Sequence, residues 1–325
     1  MVLRDLVTDW RTLTADDLGI GVEAHAHGGF GSTAPDSPIL TSAHPLVQLA
    51  ERLARRSGGV IFTGPPGTGK TYVAAETARL ITNGDDSRMW FVQFHASYGY
   101  EDFMYGYRPT QGGFEPYPGP FLQAVRKASK DPEKRPHVLV VDELSRADVG
   151  RVFGEALTYV ERSKRERRFL IASGDEIWVP SNLHILATMN PLDRGVDEVD
   201  AAFERRFAKV RMDPDADALN DILTDRGVND SLRNAVTNWF KRINSLAVKN
   251  PAASVGHAYF AEVSDLETLR ELWDHQLQFL VERAFRLDEK NRTALELQWQ
   301  QLFTQEIEQP ESDEGDADAV APTET

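Results

Sequence analysis

The stretch GPPGTGKTYVAAETARLIT, residues 64–82, decides how the rest of the chain is read. Gly64, Gly69, Lys70 and Thr71 satisfy G-x-x-x-x-G-K-[ST], and the match stands between an apolar run at 60–62 and a helical pattern, where a phosphate loop has to stand. In such a loop the backbone N–H groups of Gly64, Pro65, Pro66, Gly67, Thr68 and Gly69 (the prolines excepted) are expected to wrap phosphates. Lys70 adds a point charge at the outer phosphates, and the Thr71 hydroxyl is expected to ligate Mg2+. Nucleotide binding is thus expected, but the reaction is not fixed, because transferases, switches and motors all use this loop.

Outward from the loop, short apolar runs at 60–62, 89–94, 138–141, 185–187 and 207–210 alternate with helical patterns. Continuous apolar runs of that length suit strands buried on both faces, which predicts an α/β domain with a parallel sheet. After MDPDAD at 212–217 the strand signal stops. Leu232, Val236, Trp239, Ile243 and Leu246 then recur at helical spacing, as do Leu269, Trp273, Leu277, Leu280, Ala284 and Leu287, which predicts a second, all-helical domain with these side chains in its core.

Two further motifs bear on the chemistry. HVLVVDEL places Asp142 and Glu143 at the end of an apolar strand, where Asp142 is expected to hold the metal shell and Glu143 to face the terminal phosphate. A carboxylate beside a metal-holding aspartate suits the activation of a water, so hydrolysis outranks transfer to a substrate hydroxyl. In LHILATMNPLDRG a strand ends at Asn190, with Asp193 three residues on; the Asn190 amide suits the terminal phosphate or the water, or else forms a turn. AAFERRFAKV supplies Arg205 and Arg206 before the last strand, either to complement a helix dipole or to reach a neighbouring subunit's nucleotide.

Composition narrows the classes. A net charge of −15 argues against a surface that clamps nucleic acid as a whole, and the absence of cysteine excludes disulfides and thiolate metal sites. No apolar run approaches a membrane span, and Arg4, Asp5 and Asp9 interrupt any signal-peptide core, so a cytoplasmic protein without membrane contact is expected. The basic run ERSKRERR, with Arg162, Lys164, Arg165, Arg167 and Arg168, reads as a solvated loop or, in a ring, as a pore lining or a grip on a partner. In WFVQFHASYGYEDFMYGY the alternation of Trp90, Val92 and Phe94 reads as a buried strand, with the tyrosines packing around an insert. His95, His137 and His184 lack metal-ligand spacing and are assigned to structure.

Taken in order, the loop, the Asp142–Glu143 pair, the strand-end Asn190 and the paired arginines resemble AAA+ ATPases over roughly residues 45–305. QFHASYGYEDFMYGYRP at 93–109, YPGPFLQAV at 117–125, DELSRAD at 142–148, ATMNPLDR at 187–194 and VGHAYF at 255–260 resemble the McrB branch, the motor subunits of McrBC-type restriction systems. The resemblance implies a P-loop αβα sandwich with a five-stranded parallel sheet at 45–212 and a small all-helical lid at 213–308. Residues 1–44 are then a leader and loop, and the acidic segment 309–325 a disordered tail. It also implies a ring, usually a hexamer, that hydrolyses ATP or GTP with Mg2+ and drives an McrC-like nuclease, DNA being met only through a partner. Asn190 and Asp193 would organise the attacking water, and Arg205 or Arg206 would act across the interface.

Some positions depart from the branch. The best-known members of the branch carry an N-terminal DNA-recognition domain, whereas some forty residues precede the loop domain here, so target recognition is expected from another chain or is absent. Leu144 and Ser145 replace the Ile and Asn of D-E-I-N-R, which leaves the role of Arg146 open. His257 stands where many AAA+ lids place a phosphate-sensing arginine, either as a nucleotide contact or as a packed lid residue. Two other functions fit the same motifs: a MoxR-like remodeller that matures a metalloenzyme, and a nucleotide-gated scaffold that does not hydrolyse.

Overall fold

The five apolar runs become the five strands of one parallel sheet. The computed structural model describes residues 40–191 and 201–303. In chain order the strands are β1 (Gly59–Thr63), β2 (Met89–Gln93), β3 (Tyr105–Thr110), β4 (Gly113–Pro118), β5 (His137–Asp142), β6 (Arg168–Leu170), β7 (Glu176–Trp178), β8 (Leu183–Met189) and β9 (Phe207–Arg211). The main sheet has the order β2-β5-β8-β1-β9, every neighbouring pair parallel.

Helices cover both faces. On the loop-domain side they are α1 (Pro45–Ala54), α2 (Lys70–Ile81), α3 (Tyr100–Phe103), α4 (Pro120–Lys130), α5 (Val149–Phe153), α6 (Ala156–Tyr159) and α7 (Ala201–Glu204). Because side chains alternate along a strand, Val138 and Val140 of β5 join Val60, Phe62 and Leu186 under α1 and α2, while Leu139 and Val141 join Ile61, Ile185 and Ala187 under α4 and α5. The result is an αβα sandwich with a core on each face of the sheet.

The strand signal ends where the helical domain begins. Helices α8 (Ala216–Asp225), α9 (Asp230–Ala247), α10 (Leu266–Leu272), α11 (Gln278–Ala284) and α12 (Glu289–Leu302) enclose a separate core. At its centre Trp299 packs against Trp239 at 4.6 Å and Trp273 at 4.8 Å between ring centroids, and the Trp239 indole N–H donates to the Leu295 carbonyl at 3.1 Å. The helical stripe predicted one core residue too many: Leu287 is 93% exposed. Helix α11 ends at Ala284 and the chain turns, so Phe285 takes the buried place instead.

Other expectations need correction. Val92 and Phe94 are buried as expected and Trp90 packs on the same cluster, but the insert beyond them is a β3–β4 hairpin on which Tyr107 and Phe114 face solvent. The run ERSKRERR is not uniformly solvated. Arg165 is buried, and its guanidinium donates to the carbonyls of Val160, Pro180, Leu183 and Gly58, from three segments that meet at the N-terminal edge of β1 and β8. Burial pushes its pKa down to about 9, so it stays charged near neutrality.

His184 in β8 makes the fold acid-sensitive. Burial, reinforced by the nearby Arg165 cation, pushes its pKa down to about 4. The unfolded chain takes up that proton below about 6.5, whereas the native protein resists until about 4, so stability is full above pH 6.5 and falls as the pH drops toward 4. The expected loss over that window is on the order of 3 kcal/mol from this group. Urea denaturation at pH 7 and pH 4.5 measures it, and the difference should shrink in His184→Gln.

Candidate functional site

The phosphate loop leaves β1 at Gly64 and enters α2 at Lys70. Gly67 (φ 72°) and Gly69 (φ 73°) adopt the left-handed region that glycine alone enters at little cost, and these turns expose the amides that lead into the first turn of α2. Thr68 is fully buried and its hydroxyl donates to the Pro65 carbonyl at 3.0 Å; Lys70 Nζ donates to the same oxygen at 2.7 Å. Loop and lysine therefore share one small cradle.

Parallel register brings the other motifs to the same edge. Thr63 pairs with Met189 and Val141 with Ala187, so the residues that follow β1, β5 and β8 emerge side by side at the C-terminal edge of the three central strands. Asp142 is buried there and accepts the Thr71 hydroxyl on Oδ1 at 2.8 Å. Glu143, next in the chain, has a left-handed backbone (φ 53°, ψ 45°), and Arg146 Nε lies 3.4 Å from its Oε2. Asn190 is buried immediately beyond β8. Asp193 lies outside the described residues.

The paired arginines sit at the opposite edge. Phe207 pairs with Gly59 at the start of β1, and the Gly58 N–H donates to the Arg206 carbonyl at 2.8 Å, so both arginines lie at the N-terminal end of the strands. Their side chains differ. Arg206 is 8% exposed with Nε 3.5 Å from Glu161 Oε2, whereas Arg205 is exposed.

The helical domain touches the loop through VGHAYF. The Ala258 N–H donates to the Gly67 carbonyl at 2.8 Å, and a Cβ on Gly67 would come within 2.6 Å of the Tyr259 ring. A Cβ on Gly256 would collide with the Gly67 carbonyl, so only glycine allows this approach of two backbones. His257 Nδ1 accepts the Asp215 N–H at 3.3 Å, and its Nε2 faces Gly69. Burial lowers the His257 pKa against the opposing pull of Asp215. In the neutral ring with Nδ1 accepting, Nε2 carries the hydrogen and is a donor aimed at the phosphate loop.

The donor set fits Mg2+. Thr71 and Asp142 offer hard oxygens to one point, and magnesium is ordinarily held by one or two carboxylates together with substrate phosphates. Among the described residues no cluster of three or more His, Cys, Asp or Glu forms a metal cage of its own. The motif readings missed Thr188, whose hydroxyl touches Asp142 and the Glu143 amide. Its one visible signal was a polar residue inside the apolar run of β8, two places before Asn190.

Residues 59–207 match the AAA domain (dynein-related subfamily). The chain is similar to the Type IV methyl-directed restriction enzyme EcoKMcrB subunit of Escherichia coli (strain K12), 34% identical over 215 residues that cover 62% of this chain and 47% of that protein. It is also similar to the Type II restriction enzyme BsuMI component YdiS of Bacillus subtilis (strain 168), 29% identical over 191 residues, 46% of this chain and 55% of that protein. The chain thus spans about half the length of these curated relatives. A solved structure described as a putative ATPase from Cytophaga hutchinsonii ATCC 33406 covers 67% of this chain and 66% of its own, at a TM-score of 0.38 and 18% identity. No helix among the described residues is long and apolar enough to cross a membrane.

Proposed function

We propose that the chain is an AAA+ NTPase of the McrB type and that it hydrolyses ATP or GTP at sites shared between neighbouring copies in a ring, six being the number usual in the branch; the match of residues 59–207 to the AAA domain (dynein-related subfamily) and the similarity to the EcoKMcrB subunit support this reading. The observation that carries this reading is the meeting of Thr71, Asp142 and Glu143 at one sheet edge, with the exposed Arg205 at the other. Loop amides and Lys70 hold the phosphates. Thr71 and Asp142 would hold Mg2+, whose contribution when bound with nucleotide is to neutralise charge on the outer phosphate oxygens. Glu143 takes a proton from the attacking water, and Asn190 with Asp193 orients that water or the terminal phosphate. Arg205 of one copy meets the transition-state charge in the next. His257 adds a neutral donor from the lid.

The relatives are by name a subunit and a component of restriction enzymes, and this supports a place for the chain in a system of several proteins. We assign it the nucleotide-driven role there, with an McrC-like nuclease as the partner it rearranges. DNA is then met through that partner. Hydrolysis of ATP and GTP measured side by side over a range of protein concentrations, with and without the partner, tests the reading. Turnover per subunit should rise steeply with concentration and again with partner. Turnover strictly proportional to a persistent monomer would contradict it.

A further inference from the structure

Thr188 is buried to 2% exposure at the end of β8, opposite the end of β5 in the parallel register. Its hydroxyl has one hydrogen to give and lone pairs to receive. It gives the hydrogen to Asp142 Oδ1 at 2.6 Å and receives the Glu143 N–H at 3.1 Å. Asp142 Oδ1 also takes the Thr71 hydroxyl at 2.8 Å, so two hydroxyls from two different elements anchor one carboxylate oxygen. Two anchors fix the rotation of a carboxyl that a single hydrogen bond would leave free.

The second contact matters because of where Glu143 sits. Strand β5 ends at Asp142, and the next residue turns into a left-handed conformation that a side chain disfavours. That turn is held only if the surroundings over-determine it. The Thr188 oxygen does so by accepting the Glu143 amide at the bend. Asn190 follows directly after the last residue of the same strand, Met189.

We infer that Thr188 is a positioning residue for hydrolysis: one hydroxyl orients the metal-holding Asp142, sets the backbone from which Glu143 reaches the water, and ties both to the strand that leads into Asn190. The inference rests on the proposed hydrolytic site. It assigns Thr188 no contact with nucleotide or water.

Thr188→Val keeps the shape and removes the hydroxyl, Thr188→Ser keeps the hydroxyl, and Thr188→Cys replaces it by a weak donor of similar size to serine. In the full chain, T188V should lose about 10- to 100-fold in kcat, the range seen when a partner of a metal ligand is removed, with the nucleotide KM nearly unchanged. T188S should hold near the unchanged rate and T188C should fall with T188V. Two readouts stand apart from turnover. The magnesium concentration for half-maximal binding of a fluorescent nucleotide should rise about tenfold in T188V. Hydrogen exchange at the Glu143 amide should also quicken there about tenfold or more. If T188V does not fold, the serine and cysteine pair decides, equal rates in the two overturning the inference. A folded T188V with unchanged kcat and magnesium requirement overturns it as well, since a merely structural hydroxyl would lower only thermal stability. Absence of hydrolysis by the unchanged protein would overturn the site reading, and the inference with it.

Discussion

Arg205→Ala is expected to lower turnover by about 10³- to 10⁵-fold, the range for an arginine supplied in trans, or roughly 4–7 kcal/mol of barrier. Nucleotide affinity of the isolated subunit should be nearly unchanged, because Arg205 stands at the far end of β1 from the phosphate loop, and five strand residues span about 16 Å. An arginine there serves a nucleotide only on another copy. Arg206→Ala should behave differently. Its side chain is buried against Glu161, so its loss leaves a carboxylate without that cation and removes a buried side chain; the expected result is reduced thermal stability ahead of any loss of transition-state charge stabilisation. Steady-state hydrolysis and thermal melts of the two variants separate these outcomes, and equal loss of turnover at equal stability would contradict the assignment.

Glu143→Gln carries the second largest expected effect. Glutamine keeps the volume and the left-handed backbone but cannot accept a proton from water, and removing a general base ordinarily costs about 10²- to 10⁴-fold. Binding should survive, since the cradle is made by the loop, Lys70 and Thr71 rather than by Glu143. The Arg146 guanidinium beside Glu143 would lose its ion pair, but both groups are substantially solvated and the effect on stability should be small. A fluorescent nucleotide should therefore bind E143Q with near-normal affinity while steady-state release of phosphate all but stops. A scaffold that works by binding alone would keep its cellular function in this variant; a motor would lose it.

Much of the fold was legible because of a simple physical rule. Strands covered on both faces need continuous apolar runs, and the five runs read from the sequence are the five strands of the sheet. The two hairpins escaped because they obey no such rule. β3 and β4 carry Pro109, Pro116 and Pro118, and β6 and β7 have only three residues each. The places of the phosphate loop, Asp142, Glu143 and Asn190 were legible because each stands at a strand end; their roles stay proposals. The contacts of Thr188 and the different exposure of Arg205 and Arg206 were not. The first depends on the register of β8 against β5, which brings residues 46 apart in sequence into contact, and the second on which way a corner before β9 turns its two side chains. Arg165 looked like one charge in a solvated run for the same reason: the four carbonyls that receive it come from three segments distant in sequence. Asp193 lies outside the described residues and stays an expectation from the sequence.

The shared site is tested most directly by mixing two variants that are each inactive alone. Subunits with Arg205→Ala keep Glu143, and subunits with Glu143→Gln keep Arg205, so an interface between them has every group in place on one side. In a random equal mixture about one interface in four is of that kind, and hydrolysis should reappear at up to that fraction of the unchanged protein's rate. A mixture no more active than the sum of its parts, under conditions where the subunits are shown to co-assemble, would contradict the account.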